Sequence, residues 1–135
     1  MLADYRYTSL TLGAHPMTLL RNRDLFQNCQ TALSLNHCRH GQFVRIAGLV
    51  TGRQRPGSAA GVMFVTLEDE TGNSNVVVWE SVLQQFRAAI LQGHLLLIKG
   101  VVERENEVIH VVSGHISDCS KELHEIAAFK SRDFH

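Results

Sequence analysis

The chain has 135 residues, 44% hydrophobic and 19% charged, and its 13 lysines and arginines balance 13 aspartates and glutamates. This is the profile of one compact domain, since a chain of this length buries about two thirds of its surface, and it excludes extensive disorder and a pair of full domains. Zero formal net charge argues against a free-standing protein that coats DNA tightly, because counterion release needs many cations facing phosphates.

No apolar run approaches the roughly 18 residues needed to cross a bilayer. The start Met1-Leu2-Ala3-Asp4-Tyr5 lacks the basic-then-apolar plan of a secretory leader, so a cytoplasmic location is expected. Cys29, Cys38 and Cys119 are odd in number and irregular in spacing, which suits reduced thiols better than a disulfide framework.

The stretch from Asp4 to Arg21 is polar and mixed until His15-Pro16, where a proline marks a boundary and opens a helix. Leu19, Leu20, Leu25, Phe26, Cys29, Leu33 and Leu35 recur at loosely helical spacing, so Pro16 to about Leu35 reads as one or two short helices, closed by a loop from Asn36 to Gly41. From Gln42 the period becomes alternating, which divides the chain into a helical approach (1–41), a β domain (42–117) and a C-terminal helix and tail (118–135).

The first strand is expected from Phe43 to Thr51, with Gly48 at a bend or bulge, and Arg53 to Gly61 as a loop. Val62 to Glu68 and Ser74 to Trp79 form a hairpin around the turn Asp69-Glu70-Thr71-Gly72-Asn73. An amphipathic helix follows from Ser81 to Leu91, ended by Gly93. His94 to Glu103 and Glu107 to Val112 are the last strands, and a final amphipathic segment runs from about Ser120 to Phe129. Three strands, a helix and two strands is the order of an OB-fold, a five-stranded, partly open barrel, here mainly β with helical flanks on both sides.

Alternation sorts the side chains. Met63, Val65 and Leu67 with Val76 and Val78 read as core, joined by Ile46, Leu96, Ile98 and Val111. Phe64, Thr66, Asn75 and Trp79 are left to line one outer surface on the second and third strands, where OB-folds bind oligonucleotides. There an aromatic ring stacks on a base and Asn75 steadies a base edge, while Arg53 and Arg55 in the first long loop, with Lys99 and Arg104 near the last one, meet phosphates. A core Phe64 roofed by the N-terminal helices, and arginines on a solvated loop, are the competing readings.

A metal site fails on spacing: His37, Cys38 and His40 lie near Cys29, but there is no C-x-x-C pair and no second half of a four-ligand set. Glu68-Asp69-Glu70 reads as a turn exposing charge rather than a Mg²⁺ site. No glycine-rich phosphate loop and no nucleophile elbow is present, so no catalytic residue, metal or cofactor is assigned.

Across Gly48-Leu49-Val50-Thr51-Gly52-Arg53-Gln54-Arg55-Pro56-Gly57 and Phe64-Val65-Thr66-Leu67-Glu68-Asp69-Glu70-Thr71-Gly72-Asn73, the chain resembles the C-terminal region of bacterial error-prone DNA polymerases, relatives of the polymerase III alpha subunit. Leu10-Thr11-Leu12-Gly13-Ala14-His15-Pro16 resembles that family's approach to its OB domain, and Ser131-Arg132-Asp133-Phe134-His135 its terminal tail. Ser58, where threonine is expected, and the stretch from Asn22 to His40 depart from the family pattern. The resemblance implies a parent DNA-directed DNA polymerase performing damage-tolerant synthesis in repair, whose catalytic domains would precede Met1. This module would hold single-stranded template and bind weakly alone, with the polymerase core and accessory repair proteins as further partners and no membrane. The alternatives are a protein-interaction module for those accessory proteins and an RNA-binding module like the anticodon-binding domains of aminoacyl-tRNA synthetases.

Overall fold

The computed structural model describes residues 15–55 and 61–133, with side chains to residue 127. The expectations for residues 1–14, the Pro56–Ala60 part of the first long loop and Phe134-His135 lie outside the described residues.

The chain enters through α1 (Pro16–Leu20), which has proline at its first turn and the His15 ring accepting the Met17 backbone N–H at 3.1 Å. Beyond it the expected helix does not continue. Two 3-10 turns, Asp24–Phe26 and Ser34–His37, replace it, because Asn28 sits at φ +66° and no right-handed helix passes through that conformation.

Five strands follow: β1 (Phe43–Gln54), β2 (Val62–Asp69), β3 (Gly72–Trp79), β4 (Leu95–Glu105) and β5 (Val108–Asp118). They close into a barrel in the order β1-β2-β3-β5-β4, which is the expected fold class. The β3–β5 contact is parallel, and the other four pairings are antiparallel.

Between β3 and β4 the expected single helix is two, α2 (Glu80–Gln85) and α3 (Arg87–Gln92). Phe86 breaks it with φ −118° and ψ 30°, while its ring packs edge-on against His115 of β5 at a centroid distance of 4.8 Å. Leu83 and Ile90 are fully buried and plug the barrel end. The last element, α4 (Ser120–Asp133), outruns its expected end at Phe129.

Two strands are longer than their patterns suggest. A bulge between Val50 and Gly52 carries β1 on through Arg53 and Gln54, which pair with Val65 and Phe64. β5 continues past Val112 because Ser113 to Asp118 pair with the first half of β4, across a register shift at Lys99/Gly100. Gly48 lies not at the bulge but where β1 meets β2: a Cβ there would stand 2.8 Å from the Glu68 carbonyl oxygen.

Ile46, Val65, Leu67, Val76, Val78, Leu96, Ile98 and Val111 are each at most 2% exposed and form the barrel core. A second core lies outside the barrel. Met17, Leu20 and Phe26 from the N-terminal segment and Leu123 and Ile126 from α4 pack on Ala47, Leu49, Leu95 and Leu97, the outward residues of β1 and β4. Both faces of these strands are therefore buried, which is why Leu95-Leu96-Leu97-Ile98 is continuously apolar rather than alternating.

Candidate nucleic-acid interface

The described N-terminal residues and α4 pack on β1 and β4, and the outer face of β2 and β3 takes no part in that second core. Its register pairs Val62 with Trp79, Phe64 with Val77 and Thr66 with Asn75, and each pair shares the outward direction because Met63, Val65, Val76 and Val78 turn inward. Phe64 and Thr66 are half-buried, Asn75 is exposed, and Trp79 is 52% exposed. Phe64 belongs to neither core among the described residues, and Met17, Leu20 and Phe26 pack on β1 and β4 instead. Val62 and Val77, on the same face but buried, add apolar side chains that sequence alone did not single out, and the parallel Val77–Val112 pairing extends this face onto β5.

The four cationic candidates are dispersed. Arg53, expected in a loop, lies in β1 and donates to two carbonyls at the end of α3, from Nε to Ile90 O at 2.6 Å and from Nη2 to Gly93 O at 2.6 Å. Its guanidinium caps a helix C-terminus, where unpaired carbonyls gather. Arg104 behaves alike, donating to Asn36 O at 2.8 Å and Cys38 O at 3.0 Å. Arg55 is exposed at the loop entrance and pairs with Glu80 at 2.8 Å. Lys99 lies in β4 beside Arg45 and His115, and β4 pairs with neither β2 nor β3. Among the four, only Arg55 stands at the edge of the Phe64 face.

The acidic turn also differs from its expected role. Asp69 is 6% exposed. Its Oδ1 accepts from Thr71 N, Thr71 Oγ1 and Gly72 N, and its Oδ2 accepts from Ala32 N at 2.8 Å and Arg21 Nη2 at 3.1 Å. The carboxylate ties the hairpin turn to the N-terminal segment. Burial works against the charge on Arg21, but the hydrogen bond and charge of Glu70, with the charge of Asp69, outweigh it and raise its pKa. The expectation of an exposed charged turn holds at Glu70 and fails at Asp69, because side-chain acceptors satisfying distant backbone donors leave no periodic trace.

The three cysteines are free thiols. Burial, followed by the charges of Glu122 and Asp118, pushes the Cys119 thiol up to about 11. Among the described residues no group of three His, Cys, Asp or Glu side chains is placed to hold a metal, and no helix is long and apolar enough to cross a membrane.

This geometry, a closed five-stranded barrel whose β2–β3 outer face bears aromatic and amide side chains, agrees with a family match over residues 44–118. The chain belongs to the OB-fold nucleic acid binding domain family. Over nearly its whole length it is also similar to error-prone DNA polymerases. It is 52% identical over 133 residues to the enzyme of Idiomarina loihiensis, covering 98% of this chain and 13% of that one. It is 48% identical over 135 residues to that of Pseudomonas fluorescens, covering 100% and 13%. The chain thus spans about one seventh of the length of these curated relatives. Among solved structures, asparaginyl-tRNA synthetase from Pyrococcus horikoshii matches with a TM-score of 0.57 at 22% identity, over 67% of this chain and 23% of that one. An OBody bound to hen egg-white lysozyme matches at 0.55 and 20% identity, over 67% and 92%. Likeness at this identity establishes the fold.

Proposed function

We propose that this domain holds single-stranded DNA for an error-prone, translesion DNA polymerase acting in DNA repair in the bacterial cytoplasm, and that it takes no part in the chemistry of synthesis. The observation that carries this reading is the outer face of β2 and β3, where half-buried Phe64 and exposed Trp79 would offer rings to bases while Thr66 and Asn75 would offer hydrogen bonds beside them. Stacking tolerates any base, which suits a module that meets damaged template. Arg55, at the edge of that face, is the candidate phosphate contact. Arg53 and Arg104 serve as scaffold, and Lys99 lies away from the path. The names of the relatives favour DNA over RNA.

The test is a titration of fluorescently labelled single-stranded DNA, the RNA of the same sequence and duplex DNA. Weak binding that favours single-stranded DNA and falls with Phe64→Ala or Trp79→Ala supports the reading. Preference for RNA would support an anticodon-binding-like module instead. No binding by the folded chain would leave docking of the polymerase core or of accessory repair proteins. That second reading has an observation of its own: Phe43 and Val101, paired across β1 and β4, are 65% and 41% exposed.

A further inference from the structure

We propose that the cleft left where β3 and β5 part is a pocket for a single nucleobase, and that it favours bases carrying an exocyclic amino group. The two strands pair only at Val76–Val111 and Val77–Val112. Towards their N-terminal ends they separate, and a cleft of about 180 Å³ opens between them, with Leu35 of the second 3-10 turn and Ile109 of β5 among its apolar walls. Asn36, Asn73, Ser74, Asn75 and Glu107 line the rest. None of these five side chains has a hydrogen-bond partner among the described residues. Polar groups gathered around a cleft and left unpaired in the fold are available to a ligand.

Their chemistry selects the ligand. No lysine or arginine lines the cleft, so it offers a phosphate no compensating charge, and the Glu107 carboxylate repels one. Carboxamides carry donors and an acceptor together, which matches the edge of a base, and the Glu107 carboxylate only accepts. Adenine and cytosine present an exocyclic amino group to such an acceptor, whereas thymine has none and flanks its single ring N–H with two carbonyl oxygens that repel a carboxylate. Arg104 acts here as a positioning residue, since its bonds to the Asn36 and Cys38 carbonyls hold the turn that brings Asn36 to the rim. The pocket rests on the proposed path of DNA over β2 and β3. Asn75 lies two residues before Val77 on that outer face, about 7 Å along the strand, a gap that one unstacked nucleotide bridges.

The full chain is titrated with labelled oligo(dC), oligo(dA) and oligo(dT) by fluorescence anisotropy. The expected result is binding of dC and dA about tenfold tighter than dT, a ratio that falls below about twofold in Glu107→Gln and in the double variant Asn73→Ala/Asn75→Ala with melting temperatures unchanged. Phe64→Ala lowers all three affinities and keeps the ratio. Equal affinity for the three oligomers, or a ratio that survives the double variant, overturns the pocket and leaves the single-strand reading standing. Failure to bind any of them overturns both.

Discussion

Phe64 and Arg53 sit in neighbouring strands, yet a substitution at each should be read by a different instrument. Phe64 is half-buried and outside both cores, so Phe64→Ala should leave the domain folded. It should weaken single-strand binding at every salt concentration by about 1 to 3 kcal/mol per stacked base, as titration would show. Arg53 donates to two backbone carbonyls at the end of α3. Its truncation should cost about 1 to 3 kcal/mol of stability in urea denaturation and leave the salt dependence of binding unchanged. Cys119 yields a prediction in pH. Its folded pKa is raised from 9.0 to about 11, so the fold favours the neutral thiol. That stability is present in full below pH 9 and lost as pH climbs towards 11. Denaturation midpoints measured between pH 8 and 11 should decline less steeply in Cys119→Ala than in the parent chain.

At the scale of elements, β1 and β4 are the strands on which the domain is assembled. Each gives one face to the barrel interior and the other to the second core. The N-terminal segment and α4 are thereby joined to the barrel. Arg23 adds to this by pairing with Glu122 and Glu125 of α4 at 2.6 and 2.7 Å, although ion pairs so placed contribute little beside apolar burial. Leu123→Ala or Met17→Ala, each in a fully buried position, should therefore destabilise the whole domain by about 2 to 5 kcal/mol. A single calorimetric transition at lower temperature is the expected form. A separate early transition of the flanks would show that they are not part of the cooperative unit.

For the whole molecule, zero net charge and a largely committed set of arginines mean that few cations remain to meet phosphates. With one or two phosphate contacts, affinity for single strands should fall less than about tenfold between 50 and 200 mM salt, which titrations at the two salt concentrations would check. Weak binding is adequate for a module spanning about one seventh of its relatives. In the proposed function, tethering to a DNA-bound enzyme would supply effective concentrations in the millimolar range.

What local pattern could determine, the sequence alone determined. Two-residue periodicity in 62–68 and 74–79 set the hairpin and its inward residues, and the order of strands around one helical segment led to the barrel. The same alternation put Phe64, Thr66, Asn75 and Trp79 on one outer surface, because side-chain direction in a strand depends on position alone. The continuous run Leu95-Leu96-Leu97-Ile98 held a legible sign of burial on both faces, but not of what lay over the outer one. Tertiary structure alone decided the partners of charged side chains. Arg53, Arg104 and Asp69 meet backbone groups between 35 and 70 residues away in the chain, and a long, flexible or multivalent polar side chain leaves no period by which such a partner is found. It also decided the lengths of β1 and β5, since a strand continues wherever a neighbour offers a ladder, and that offer comes from the closed barrel rather than from the residues that accept it.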